Sequence, residues 1–74
     1  MNFKTFLEMY DNWNGITCVD DDDLNLIVGG RTVDIYDRVT PFCPTSRIKS
    51  YEKLFESEVV AFGFYDGEFC VRVK

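Results

Sequence analysis

The sequence predicts an α+β domain: an antiparallel sheet of about five strands carrying two short helices, in the order αβββαββ. Three observations lead there. Apolar residues at helical spacing open the chain and recur near residue 50. Apolar residues at period two fill the stretches between and after. Turn dipeptides separate these stretches. At 74 residues the chain has room for one domain, residues 1–74, and a core made affordable by twelve aromatic side chains.

Phe3, Phe6, Leu7 and Tyr10 share one helical face while Lys4, Thr5, Glu8 and Asp11 fall on the others, which predicts a helix over residues 2–11. Asn2 is its expected N-cap, and Asn14 with Gly15 its stop signal. Trp13 then stands at the helix exit, as a lid on the core or as an anchor for a partner. From Ile16 to Tyr36 the period is two, interrupted by Asp20, Asp21, Asp22 and Asp23 and by Gly29 and Gly30. A three-strand meander fits, with the glycines as a two-residue turn that sets Val28 opposite Arg31, Leu26 opposite Val33 and Leu24 opposite Ile35. Asn25, Ile27, Thr32, Asp34 and Tyr36 would then form a mostly wet face.

Pro41 and Pro44 place a loop over residues 37–46. Thr45 or Ser46 can cap a second helix over residues 47–56, whose buried face is Ile48, Tyr51, Leu54 and Phe55. Residues 58–74 alternate strictly about Asp66 and Gly67, a favoured type I′ turn. The register pairs Phe64 with Phe69, Phe62 with Val71 and Val60 with Val73 on the expected core face.

The net charge of −5 opposes direct contact with nucleic acid or an anionic membrane surface, both of which call for a cationic face. The charge is uneven. Residues 1–30 set Glu8, Asp11 and the four aspartates against Lys4, whereas residues 31–53 set Arg31, Arg38, Arg47, Lys49 and Lys53 against Asp34, Asp37 and Glu52. Cys18, Cys43 and Cys70 are odd in number and include no CxxC pair, and no secretory leader is expected. Reduced thiols in a cytoplasmic protein are the expectation.

Chemistry-bearing patterns are sparse. Histidine is absent, so a cysteine nucleophile would lack its usual imidazole, and the glycine pair has no phosphate-loop continuation. Counted from Asp20, a calcium loop would require glycine and glutamate where Asn25 and Arg31 stand. No enzyme activity, cofactor or metal is expected, although weak calcium or magnesium binding at the aspartates stays open. Residues 20–23 read either as a solvated turn or as carboxylates that stand in for phosphates before a nucleic-acid-binding protein. Asp34 and Asp37 would extend that field, and Tyr36 and Trp13 would serve as aromatic anchors.

The opening MNFKTFLEMYD, the acidic hairpin, the short SYEKLF helix and the closing EVVAFGFYDGEFCVRVK together resemble small accessory proteins of phages and bacterial mobile elements, anti-CRISPR inhibitors among them. The resemblance implies a non-enzymatic inhibitor in the cytoplasm of a bacterial host, with a CRISPR effector nuclease as its protein partner. A homo-oligomeric structural or regulatory module, such as a homodimer, is the alternative.

Overall fold

The structure is a computed structural model and describes residues 1–11, 13–39 and 50–74. The class is α+β, as expected, but the order is αββααββ: α1 (Phe3–Met9), β1 (Ile16–Asp20), β2 (Leu26–Arg31), α2 (Thr32–Tyr36), α3 (Tyr51–Glu56), β3 (Val59–Tyr65) and β4 (Glu68–Val73). The strands make one mixed sheet in the order β2-β1-β4-β3. Two antiparallel hairpins, β1 with β2 and β3 with β4, are joined by a parallel pairing of β1 with β4.

The helix α1 forms for the expected reasons. The Asn2 side chain accepts from the Thr5 N–H at 2.8 Å, and Phe3, Phe6 and Leu7 are buried. It ends earlier than expected, on an extended Tyr10 whose N–H reaches the Phe6 and Leu7 carbonyls, so Asn14 and Gly15 are not its stop. The helix α3 is capped by Ser50, which accepts from the Lys53 N–H, and buries Leu54 and Phe55. The proposed caps Thr45 and Ser46, the loop prolines, Phe42, Cys43 and Ile48 lie outside the described residues.

The middle of the chain departs from the expected meander. Gly29 and Gly30 do not turn; they lie inside β2, opposite Cys18 and Thr17. The expected acidic turn between the first two strands is present, at residues 21–25, but the expected third strand is the helix α2. Thr32, Val33, Ile35 and Tyr36 are β-branched or aromatic, which favours a strand locally. Tertiary contacts override that preference. The first free N–H groups of α2, from Thr32 and Val33, donate to the Gly15 and Trp13 carbonyls at 2.9 and 3.0 Å. Thr32 Oγ1 donates to the Gly15 carbonyl at 3.1 Å and lies 2.7 Å from Thr17 Oγ1, which must therefore supply the second proton. Both threonines are fully buried. The predicted pairs of Val28, Leu26 and Leu24 with the 31–35 segment do not form, and Asn25, Ile27, Thr32, Asp34 and Tyr36 share no sheet face.

Arg38 takes φ 62° after α2, the Val39 N–H closes back on the Asp34 carbonyl, and the Arg38 guanidinium lies 4.8 Å above the Phe55 ring.

The core combines Phe3, Phe6 and Leu7 of α1, Ile35 of α2 and Leu54 and Phe55 of α3 with one face of the sheet: Val19, Val28, Phe69, Val71 and Val73. The β3–β4 register matches expectation from Tyr65 opposite Glu68 to Phe62 opposite Val71, and Asp66 and Gly67 take the positive φ values of a type I′ turn. A bulge between Val59 and Ala61 then breaks the pairing of Val60 with Val73. The expected burial also fails along β3. Phe62 is 60% exposed and Phe64 71%, so only the β4 members of these pairs are core.

Candidate interaction surfaces

The acidic turn connects β1 to β2. Asp21 closes it: one carboxylate oxygen accepts from the N–H groups of Asp23 and Asn25, both at 2.9 Å. The turn also forces Leu24 to φ 66°, an unusual conformation for a branched side chain, and leaves Leu24 exposed between Asp23 and Asn25. Asp22 and Asp23 point into solvent. Asp20 belongs to β1 instead, half-buried beside Arg72 of β4; burial pushes its carboxyl up, and the Arg72 charge opposes that shift. Of the four adjacent aspartates, two are therefore free tips and two serve the sheet and its turn.

The other expected site residues gather at the opposite end of β2, about 20 Å away at strand rise. Asp34 forms a two-pronged pair with Arg31, Nε to Oδ2 at 3.1 Å and Nη2 to Oδ1 at 3.2 Å, so its charge is matched. Asp37 is the exposed C-cap of α2. Tyr36 donates its hydroxyl to Glu8 Oε2 at 2.6 Å, a bond that raises its own pKa, and its ring meets the Trp13 indole edge-on at 5.1 Å. Trp13 is half-buried there. The acidic turn and the Trp13, Tyr36, Asp34 and Asp37 group are thus two separate places and not one continuous field.

A second surface is built from residues that sequence reasoning assigned to the core or passed over. Between α1 and β3 lies an apolar groove of about 310 Å³ lined by Met1, Phe6, Met9, Tyr10, Phe62 and Phe69. Met1 and Met9 are exposed beside it, Met9 by 68%. Phe62 sits 5.1 Å from Phe6, and Phe64 makes an edge contact with Phe69 at 5.3 Å. The seven residues of α1 span only about 10 Å and leave most of Phe62 and Phe64 uncovered. The sequence signal was present but incomplete: alternation says which side chains share a face, and says nothing about whether a helix covers it.

The sheet face away from the helices carries a third arrangement. The parallel pairing sets Cys18 directly beside Cys70, flanked by Gly29 and Gly63 on the outer strands. Both thiols are free and half-buried. The Cys18 S–H donates to Glu68 Oε2 at 3.7 Å, and burial, the Glu68 charge and the neighbouring Cys70 push its pKa up to about 11. Burial likewise raises Cys70. These are protonated, weakly nucleophilic thiols at neutral pH. Residues 52 positions apart gave no spacing from which this pair could be read.

Comparison of the chain with protein-family models, with curated proteins and with solved structures gave no match.

Proposed function

We propose that this chain works by binding protein: it is a non-enzymatic inhibitor of the kind that phages and mobile elements encode, an anti-CRISPR whose target is a bacterial effector nuclease. The observation that carries the protein-binding reading is the exposure of Phe62 and Phe64 beside the Met1, Phe6 and Met9 groove. Large rings and methionines contiguous on a surface are typical of protein contacts and rare on surfaces that stay in water. The acidic turn supports the choice of target. Asp22 and Asp23 precede an exposed Leu24 on a turn pinned by Asp21, an acidic tip that suits the basic channel of a nucleic-acid enzyme.

Mixing the purified chain with candidate effector nucleases tests this reading. The expected result is a co-eluting complex with lost target cleavage. The Asp22→Lys, Asp23→Lys double variant should slow association and flatten its salt dependence while the fold is kept. Effectors that never co-elute and still cleave at large inhibitor excess would sink the proposal.

A further inference from the structure

The β3 edge is chemically specific about what it accepts. Residues 59–65 contain no charge and no proline, the two devices that usually protect an outer strand. Backbone bonds from the N-terminal residues cover only its first part: the Phe3 N–H donates to the Ser57 carbonyl and the Val59 N–H to the Met1 carbonyl. Beyond the bulge, no described strand lies outside β3.

The ladder fixes which groups face outward. Tyr65 and Glu68 flank a two-residue turn and form a hydrogen-bonded pair, so alternation makes Gly63 with Cys70 the next such pair. Phe62 and Phe64 therefore turn their own N–H and C=O groups away from β4. The same two residues thus present exposed rings on one face and, along the edge, backbone groups that pair with no described strand.

We infer that the β3 edge is occupied by a second copy of this chain, in a two-fold antiparallel pairing centred on Gly63 that joins the two sheets into one of eight strands. This rests on the reading of the apolar surface as a protein contact and names its occupant. With Gly63 opposite its own counterpart, Phe62 of each copy faces Phe64 of the other, and each such pair exchanges two backbone hydrogen bonds. The four rings fall on the helix-bearing face, continuous with Phe6 and Phe69 of both copies. At their exposures these rings alone would remove about 500 Å² from water; Met1, Met9, Val60 and the strand backbones add to that and bring the contact toward the roughly 1,000 Å² of a specific interface.

Charge favours the same arrangement. Because β2 and β3 are opposite edges, pairing through β3 sends the two acidic turns to the far ends of the joined sheet, roughly 30 Å apart, several screening lengths at physiological salt. A chain of net charge −5 thereby meets its copy across an uncharged strand. Both acidic tips remain free to engage an effector.

Sedimentation equilibrium of the full chain at micromolar to high micromolar concentration tests the pairing, with two variants. The wild type is expected at twice the monomer mass. Phe62→Lys, at an exposed position, places a charge in the ring strip, and Phe64→Pro removes one outward N–H while sparing the β4 ladder; each should shift the dimer to monomer with unchanged far-ultraviolet circular dichroism. If Phe64→Pro unfolds, Phe62→Lys alone decides. A wild type that stays monomeric, or a dimer that survives in folded Phe62→Lys, overturns the inference. A monomer that captures an effector nuclease and loses it on Phe62→Lys would overturn the pairing and leave the protein-binding reading standing; a dimer that captures none would uphold the pairing and overturn the effector-inhibitor reading.

Discussion

At one edge of the sheet, β2 begins at the acidic turn and ends at the Arg31 and Asp34 pair, then passes directly into α2. At the other edge, β3 carries seven uncharged residues and two exposed phenylalanines. The first edge is bracketed by charge at both ends, and its helix is sewn down by a buried hydroxyl pair. The second is also flanked by charge, at Glu58 and Asp66, but carries none within the strand and passes into no helix. Edge strands usually need one or the other to stay single. The difference separates an edge secured within the chain from an edge that is left open among the described residues.

The largest expected effect tests where the core stops along that second edge. Phe69 on β4 is 8% exposed and meets Phe6, Tyr10, Phe62 and Phe64 at 4.5–6.4 Å between ring centroids. Phe69→Ala should cost about 3–5 kcal/mol. Phe62, its neighbour in space at 6.4 Å, stands mostly in water, so Phe62→Ala should cost only about 1 kcal/mol, the worth of its ring contacts. Urea unfolding of dilute protein measures both. Equal losses would move the core boundary out to β3 and remove the contrast between the edges.

That contrast also explains what the sequence could and could not reveal. The Phe3, Phe6 and Leu7 face of α1 and the hairpin about Asp66 and Gly67 were legible because helical spacing and a type I′ turn are local properties. Residues 20–23 were legible as a turn on the same ground. The parallel pairing of β1 with β4 depends on residues some fifty positions apart, and nothing in the spacing of Cys18 and Cys70 announced it. The helix α2 was hidden twice: Gly29 and Gly30 imitate a hairpin turn, and Thr32, Val33, Ile35 and Tyr36 prefer strands. Its helical state is imposed from outside, by carbonyls of residues 13 and 15. For Phe62 and Phe64 the shared face was readable, but its cover was not, since that depends on the length and placement of α1.

An intermediate effect probes how the β2 edge is secured. Thr32→Val keeps the shape of the side chain but leaves the buried Thr17 hydroxyl without its acceptor, and should cost about 1–3 kcal/mol. Replacing Thr17 by valine as well removes the stranded hydroxyl, so the double variant should recover much of the loss. A double variant no better than Thr32→Val would show that the hydroxyl pair is not what holds α2 to β1.

The smallest effect lies midway between the edges, at Cys18. Its thiol is raised from 9.0 to about 11 in the folded chain, by burial first and by Glu68 second, so between these values the folded state holds a proton that the unfolded state has released. The number of bound protons is then larger in the native state, and the stability to unfolding must fall as pH rises through that window. Below pH 9 the contribution is intact. Cys18→Ala should flatten this decline relative to wild type. Glu68→Gln removes the charge that opposes the thiolate, so it should speed alkylation of Cys18 at mildly alkaline pH. An unchanged alkylation rate would mean that burial alone holds the thiol protonated and that the Glu68 contact, at 3.7 Å, contributes nothing to it.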